Sequence, residues 1–428
     1  MSTILLDDPV ATTSDSESAI EVRSQYDDNS QSVAELCPLA ELECILRASF
    51  FEPDIQAIRI VLGTIQAHRL NLGDPAWLFI VAPPGSGKTT MSIMGASGLA
   101  DVVMLGDFSE STFLSGFHGH KQPGMLEKLG HTVDDGKTFI SKGDAVLMAK
   151  DFTTVLSMRR EKRAAILSQL REIHDGQFKR DFGTGVTKIW RGRVTIIAAV
   201  TPVLDKYYSI FSVLGERFLQ LRWHRPNSEE AGVWAIRQQG KEQQFQEAMR
   251  NGIGQVLGAA TKIAPILSDT MQRRISSLAE IIALGRTHVY RSNFGNRDIE
   301  YIPEPEANTR ISKGLAAITK GVASLRGQKE VTEDDLQDAF RVGLDSLSDY
   351  RRRLFLAVAT GADHNATGIP TTMHERGTEE LTELGLLQKS ESSSENASQS
   401  NSWRHWAQSS SYQLTDRAAA LWQKAGVK

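Results

Sequence analysis

Residues 77–89 read WLFIVAPPGSGKT, a short apolar run followed by a loop rich in glycine. A continuous run such as Trp77–Val81 is typical of a strand that is buried on both faces. The loop resembles the pattern G-x-x-x-x-G-K-[ST], with Ala82 in the position of the first glycine. Gly85 and Gly87 let the backbone amides converge on phosphate oxygens, helped by the positive end of the following helix. The stretch therefore predicts a phosphate-binding loop.

The pattern also predicts which residues of the loop bind the ligand. Lys88 is placed to reach the β- and γ-phosphates, and the hydroxyl of Thr89 is placed to ligate Mg²⁺. The predicted binding residues are Pro84, Gly85, Ser86, Gly87, Lys88, Thr89 and Thr90. We expect this site to bind a nucleoside triphosphate together with Mg²⁺.

Further apolar runs after the loop predict more buried strands. Helical patterns separate several of them, as where Ile166, Leu167, Leu170 and Ile173 fall on one helical face. The predicted strands are Val102–Leu105, Ala145–Ala149, Val194–Val200 and Phe218–Leu221. Strands that alternate with helices predict an α/β fold with a parallel, doubly wound sheet. From about residue 226 to residue 358 the pattern is almost entirely helical.

The composition of the 428-residue chain excludes several classes of protein. Hydrophobic residues make up 40% and charged residues 23%, which excludes a fibrous or wholly disordered chain. No stretch approaches the roughly 18 uninterrupted apolar residues of a membrane helix, and residues 1–18 lack the pattern of a signal peptide. Cys37 and Cys44 are too few for a disulfide framework or a metal cage. We therefore expect a cytoplasmic protein without membrane contact.

Charge is unevenly distributed behind a net charge of −4. Residues 1–36 hold eight acidic side chains and one arginine, a local charge of −7, which predicts a disordered acidic tail. Residues 159–193 hold ten basic and four acidic side chains, a local charge of +6. Residues 388–411 contain ten serines in 24 positions and predict a loop or wing. The near-neutral total therefore does not exclude a nucleic-acid partner.

Four later segments occur in an order that resembles the AAA+ ATPases, over roughly residues 53–350. They are LMAKDFTT at 147–154, VTIIAAVTPV at 194–203, LGERF at 214–218 and IPEPEANTR at 302–310. The corresponding segments of that family are Walker B, sensor 1, the arginine finger and sensor 2. The resemblance implies an AAA+ ATPase core over residues 37–225 and a helical lid over residues 226–348.

The resemblance implies a role for one residue of each segment. Asp151 would hold Mg²⁺ or its water, and Thr201 would orient the attacking water or the γ-phosphate of ATP. Arg217 would enter the ATP site of a neighbouring subunit and stabilise charge on the transferred phosphoryl group. Arg310 would bind ATP as sensor 2 and couple the nucleotide state to the lid. The predicted catalytic residues are Lys88, Asp151, Thr201 and Arg217, and the predicted assembly is a homo-oligomeric ring, a hexamer.

One departure from the family concerns the catalytic base. These ATPases usually end the Walker B strand with Asp-Glu, whereas this chain has Lys150-Asp151. Either Asp151 takes the part of the glutamate or the base lies elsewhere. The other candidate carboxylates are Asp107, Glu110, Glu161 and Glu172. The departure concerns the residue that ATP hydrolysis would use as a base and leaves the predicted ATP-binding residues of the loop unchanged.

Residues 176–193 (GQFKRDFGTGVTKIWRGR) predict a β-hairpin before the sensor 1 strand, with Gly183 and Gly185 at its turn. This position is similar to a hairpin shared by minichromosome-maintenance helicases, enhancer-binding transcription activators and MoxR-type remodellers. Trp190 and Phe182 are candidates for stacking on bases. The cations predicted to contact nucleic acid are Lys179, Arg180, Lys188, Arg191 and Arg193. A solvated basic surface or a contact between subunits is the alternative interpretation.

The C-terminal residues 349–428 resemble a winged-helix domain. Two helices, a strand at Leu386-Leu387, the serine-rich loop, a strand at 412–415 and a last helix follow one another. The commonest use of that domain is DNA binding, but residues 351–428 carry a net charge of only +1. A winged helix that contacts protein is therefore an open alternative.

Three functions are consistent with these features. The first is a cytoplasmic AAA+ ATPase that forms a ring or filament and acts on DNA as a helicase-like translocase, loader or replication-associated motor. The second is a MoxR-like remodeller with a protein client. The third is a switch that binds ATP and hydrolyses it poorly, which the missing Walker B glutamate would permit.

Overall fold

The structure is a computed structural model. It describes residues 37–87, 95–106, 108–109, 111–114, 123–134, 137–207, 217–224, 228–292, 297–390 and 412–427. The predictions that lie outside the described residues concern the acidic tail at 1–36, most of the serine-rich loop at 388–411, and individual side chains. Those side chains are Lys88, Thr89, Thr90, Asp107 and Glu110.

The secondary structure is numbered along the described chain. The strands are β1 (Trp77–Val81), β2 (Val102–Leu105), β3 (His131–Asp134), β4 (Thr138–Lys142), β5 (Ala145–Ala149), β6 (Gln177–Asp181), β7 (Thr187–Arg191), β8 (Val194–Val200), β9 (Phe218–Arg222), β10 (Tyr290–Arg291), β11 (Ile299–Tyr301), β12 (Leu387–Lys389) and β13 (Tyr412–Leu414). The α-helices are α1 (Pro38–Ser49), α2 (Ile55–Arg69), α3 (Thr153–Ser157), α4 (Arg160–His174), α5 (Ser228–Arg237), α6 (Glu242–Ala259), α7 (Asp269–Gly285), α8 (Thr309–Leu325), α9 (Glu333–Asp345), α10 (Asp349–Thr360), α11 (Thr371–Glu383) and α12 (Asp416–Ala425). Short 3₁₀ helices cover Leu126–Lys128, Pro202–Tyr207 and His364–Thr367.

A five-stranded parallel sheet forms the centre of the fold, in the order β2-β5-β8-β1-β9. Every residue of β1, β5 and β8 is buried, as expected of strands that helices cover on both faces. Leu78 of β1 lies opposite Ile197 of β8 on one side and Leu219 of β9 on the other. The predicted α/β class and parallel sheet are confirmed, and each predicted apolar run is a strand.

Successive residues of β1 point to opposite faces of the sheet and enter two separate hydrophobic cores. Leu78 and Ile80 join the core that contains α2 and the later helices, whereas Trp77 and Phe79 join the core that contains α4. The ring of Phe79 stacks on that of Phe218 with centroids 3.8 Å apart. Each fully buried side chain of this kind contributes about 1.5–3 kcal/mol, so both faces stabilise the sheet.

The helical region, residues 228–348, packs directly against the α/β part. Helix α8 lies along α2, and the backbones approach so closely that a Cβ added to Gly321 would lie 1.9 Å from the carbonyl oxygen of Gly63. An ion pair of 2.6 Å between Arg59 Nε and Asp338 Oδ2 joins α2 to α9. The predicted boundary between core and lid therefore lies inside one packed unit.

We expect Gly321→Ala to destabilise the protein, because the new methyl group overlaps the carbonyl oxygen of Gly63. Overpacking of this kind costs about 1–3 kcal/mol. The matched control is Gly254→Ala in α6, where the added Cβ meets no atom within 4 Å and alanine favours the helix by up to about 1 kcal/mol. Chemical denaturation measures the free energy of unfolding of both variants. Equal stability of the two variants would contradict the close approach of the helices.

Two β-hairpins form a second sheet, in the order β3-β4-β7-β6. The predicted hairpin is present as β6 and β7, and its turn contains Gly185 at a φ of +80°, a conformation that favours glycine. The hairpin of β3 and β4 was not among the predicted elements. Its second strand runs parallel to β7 and joins the two hairpins.

The C-terminal elements occur in the predicted order of two helices, strand, strand and helix. Strands β12 and β13 pair antiparallel, and α12 packs back against α7. The fully buried carboxylate of Glu380 in α11 accepts hydrogen bonds from Tyr350 and Arg351 of α10 and from Arg291 of β10. This cluster fixes the C-terminal part to the helical region. None of the described helices combines the length and apolar character that crossing a bilayer requires.

Candidate active site

Three of the predicted site segments meet at the carboxyl edge of the central sheet. Strands β1, β8 and β5 are neighbours and parallel, so the residues that follow them lie side by side. The amide of Ala82 donates to the carbonyl of Val200 (3.1 Å), and that of Phe152 donates to the carbonyl of Ala199 (2.8 Å). Open α/β sheets bind ligands at this edge. The topology therefore brings the loop, Asp151 and Thr201 together.

The described part of the loop suits an anionic ligand. Gly85 and Gly87 have φ values of +74° and +76°, which other residues adopt only with strain. The hydroxyl of Ser86 is buried and has no hydrogen-bond partner within the described residues. Pro84 is exposed at the start of the turn, whereas Ala82 is buried against β8. Alanine is therefore compatible with the position at which the pattern has glycine.

Thr153 connects Asp151 with Thr201, and sequence reasoning did not identify it. Its amide donates to Oδ1 of Asp151 (2.8 Å), and its hydroxyl donates to the hydroxyl of Thr201 (3.4 Å). That hydroxyl also accepts from the amide of Thr201 (3.1 Å). One oxygen of the exposed Asp151 carboxylate is thereby oriented by the start of α3, and Oδ2 has no hydrogen bond within the described residues. The only sequence signal is that threonine stands two residues after Asp151.

Besides Asp151, the described candidates for the catalytic base are Glu161 and Glu172, which lie at opposite ends of α4. Glu161 is exposed in the first turn of the helix, which follows the carboxyl edge. Glu172 is near the other end, about 16 Å further along the helix. That end reaches the amino edge, because the ring of His174 contacts that of Trp77 at the start of β1 (centroids 5.0 Å apart). Only Glu161 of these two is on the side of the loop.

Arg217 and Arg310 lie together at the amino edge of the sheet, away from the loop. Arg217 precedes Phe218, which pairs with Trp77, the first residue of β1. The length of β1, about 17 Å, therefore separates Arg217 from Ala82. Both arginines line a cleft with Asp74, His174, Arg286 and Lys313. No pattern in the sequence predicted that these two distant segments lie together.

Each of these cations has a carboxylate close by. Nη2 of Arg217 donates to both oxygens of Asp175 at 3.2 Å. Nη1 of Arg310 lies 3.7 Å from Oε2 of Glu306. Burial lowers the pKa of Arg217, and Arg310 lowers it further while Asp175 opposes the shift. The cleft therefore holds four cations together with the carboxylates that pair with them, and an incoming anion would compete with those carboxylates.

The five cations predicted for nucleic acid occupy different environments. Lys188 is buried, with 4% of its side chain exposed, and pairs with Oε1 of Glu127 at 2.7 Å. Arg193 donates to the carbonyl of His68 and helps to fix the end of α2. Lys179 and Arg191 are exposed, and Arg180 lies over the ring of Phe182 at 5.2 Å. Lys188 and Arg193 are therefore structural, contrary to the prediction.

Strand alternation explains why Lys188 is buried. Lys188 and Trp190 are two residues apart and share the inner face of the hairpin sheet. Trp190 is fully buried and cannot stack on a base, which corrects the prediction made for it. Phe182 at the turn is partly buried.

The opposite face of the hairpin sheet, here called the outer face, carries the exposed cations. Lys142 lies opposite Arg191, and Lys179 lies opposite Ile189. Val133, Ile140 and Ile189 form an apolar row on this face that Lys179 continues, with Val133 67% exposed and Ile140 36% exposed. Lys142 was missed because the first hairpin was missed. The pair Asp135-Gly136 in the sequence is typical of a hairpin turn.

Comparison with protein-family models and with curated proteins finds no match to this sequence.

Three histidines whose pKa falls to about 4 in the folded protein make its stability depend on pH. Burial, with a contribution from Arg217, lowers the pKa of His174 to about 4, and burial lowers the pKa of His68 and of His288 to about 4. Folding therefore favours the neutral rings. This stability is fully present above pH 6.5 and is lost as the pH falls from 6.5 towards 4.

We expect the free energy of unfolding to fall between pH 7.5 and pH 5.5, by at most about 1.4 kcal/mol per pH unit for each histidine. His174→Phe keeps an aromatic contact with Trp77 and should reduce this slope. The control is His224→Gln, which replaces an exposed side chain. Urea denaturation across the pH range measures the slopes, and an unchanged slope in His174→Phe would contradict the assignment.

Proposed function

We propose that this chain is an AAA+ ATPase that assembles into a homo-oligomeric ring, a hexamer, and acts on DNA. The observation that carries the proposal is the division of the predicted site between two edges of one sheet. Residues 84–87, Asp151 and Thr201 lie at the carboxyl edge, whereas Arg217 and Arg310 lie at the amino edge. The two sets can meet only where the amino edge of one subunit faces the carboxyl edge of another. Such head-to-tail contacts form a ring where the rotation between subunits closes and a filament where it does not.

The carboxyl edge would bind the nucleotide. The amides of residues 84–87 and the ammonium of Lys88 would bind the phosphates, and Thr89 and Asp151 would hold Mg²⁺. The bound ion would neutralise charge on the phosphate oxygens. Thr201, fixed through Thr153, would orient the attacking water. With lysine at position 150, Asp151 or Glu161 would take the role of the base.

The amino edge would complete the site of the neighbouring subunit. Arg217 would bind the γ-phosphate and stabilise charge in the transition state, a contribution of about 10³–10⁵ in rate for arginine fingers. Arg310 lies in the same cleft and would therefore also bind the neighbour's nucleotide, rather than that of its own subunit.

The trans arrangement predicts complementation between two inactive variants. We expect Arg217→Ala to retain ATP binding and to lose turnover by a factor of about 10³ or more, and Lys88→Ala to lose binding. Mixing the two variants should restore part of the turnover. Some interfaces then combine the intact carboxyl edge of an Arg217→Ala subunit with the intact amino edge of a Lys88→Ala subunit. ATP hydrolysis and nucleotide binding are measured on each variant and on mixtures.

The matched control for this experiment is Arg237→Ala, which removes an exposed arginine of α5. It should hydrolyse ATP at the parental rate. Parental turnover in Arg217→Ala, or mixtures no more active than their components, would contradict a shared site.

The outer face would contact the DNA backbone. Lys142, Lys179 and Arg191 share this face at adjacent strands, which suits neutralisation of neighbouring phosphates. In a ring the hairpins would line the channel. The winged-helix-like residues 349–428 would be a second contact, with weaker electrostatic attraction.

Replacing these three cations by glutamine should weaken DNA binding and DNA-stimulated turnover. The slope of log affinity against log salt should fall in magnitude by about 2 for single-stranded DNA, about 0.7 for each lost phosphate contact. A matched triple variant, Lys241/Lys262/Lys329→Gln, removes exposed cations elsewhere and should keep the parental slope. Equal slopes in the two triple variants, or turnover that no DNA stimulates, would contradict the DNA role.

The exposed apolar row of the outer face favours a second candidate, a MoxR-like remodeller with a protein client. Turnover without DNA stimulation would favour that function. Undetectable turnover under every condition would favour a nucleotide switch.

A further inference from the structure

The contact between Arg217 and Asp175 joins the predicted arginine finger to the base of the hairpin. Nη2 of Arg217 lies 3.2 Å from both oxygens of Asp175. The arginine side chain is 11% exposed and the carboxylate 63% exposed. The carboxylate is therefore accessible to solvent although the guanidinium is mostly covered.

Asp175 stands between α4 and the hairpin. The next residue, Gly176, has a φ of +84°, and β6 begins directly after it. The carbonyl of Gly176 accepts from the amide of Gly192 at 3.1 Å, which closes the base of the hairpin. A displacement of the hairpin would therefore act directly on the carboxylate that binds Arg217.

The surroundings of Arg217 restrict its movement to the side chain. Phe218, next to Arg217, is stacked on Phe79 and lies 4.9 Å from the ring of Trp77. This packing fixes the backbone from which Arg217 extends. An ion pair with a carboxylate as exposed as that of Asp175 is weak, so a phosphate can replace the carboxylate.

We propose that Asp175 is a positioning residue that holds Arg217 on its own subunit until DNA engages the hairpin. This inference rests on the proposed function. DNA bound at the outer face shifts the hairpin base, weakens the contact with Asp175 and frees the guanidinium for the neighbour's γ-phosphate. By linkage, ATP that binds Arg217 favours the DNA-bound position of the hairpin by the same free energy by which bound DNA favours the release of Arg217.

The test compares Asp175→Asn with Asp175→Glu and with Glu247→Gln, which removes an exposed carboxylate of α6. ATP turnover is measured with and without single-stranded DNA, below the protein concentration that saturates assembly. We expect Asp175→Asn to raise basal turnover about two- to fivefold, the range of exposed ion pairs. Its DNA-stimulated rate should match the parent, so the stimulation ratio falls by the same factor. Asp175→Glu and Glu247→Gln should keep the parental ratio.

Two results overturn the inference while leaving the proposed function intact. One is a DNA-stimulated parent with the same stimulation ratio in Asp175→Asn. The other is a loss in Asp175→Asn that affects basal and stimulated rates equally, as a merely structural role would produce. A parent that DNA does not stimulate overturns the proposed function itself, and this inference with it.

Discussion

The pairing of β1 with parallel strands on both sides is the constraint on which the rest of the structure depends. All five of its residues are buried, and β8 and β9 flank it. Because the strands are parallel, every segment that follows them reaches one edge and every segment that precedes them reaches the other. The loop and Arg217 are thereby held about one strand length apart. No side-chain rearrangement within the subunit closes that distance, so a site that uses both must involve two copies.

The packing of the helical region fixes the position of Arg310 in the same way. Helix α8 is held along α2 by the close approach of Gly63 and Gly321, and Arg310 lies in its first turn. An ion pair from Arg341 of α9 to Asp54 at the start of α2, and a hydrogen bond from the amide of Arg222 in β9 to Asp345 of α9, add to this attachment. The position of Arg310 in the cleft is therefore a consequence of helix packing far from the cleft.

Local patterns in the sequence predicted the strands, the loop and the hairpin better than the contacts between distant segments. The strand runs, the glycine loop and the hairpin at 177–191 are continuous signals, and each corresponds to a described feature. The assignment of Lys188 to a surface failed because alternation defines two faces without saying which one is packed. Trp190 two residues later was the available clue, since a large aromatic residue on the same face favours burial. The cleft of Arg217 and Arg310 depends on contacts between distant segments, which periodicity does not encode.

Burial separates the charged groups into those that fix the fold and those that can exchange partners. The local charge of +6 over residues 159–193 overstates the free cations, because Lys188 is buried in an ion pair and Arg163 donates to the carbonyl of Leu156. Breaking a buried pair costs about 3–5 kcal/mol, so the carboxylates of Glu380 and Asp338, both fully buried, hold their arginines permanently.

Exposed pairs contribute about 0–1 kcal/mol, and a phosphate can replace their carboxylates at little cost. Asp175 at the amino edge belongs to this second class, and so does Asp74, whose partner is the exposed Lys313. Since the helical region is packed into the same core as the sheet, a signal between the subunits of the proposed ring would have few elements that could move without disturbing a core. Exchange of partners by side chains at the amino edge is the route that requires no repacking of either core.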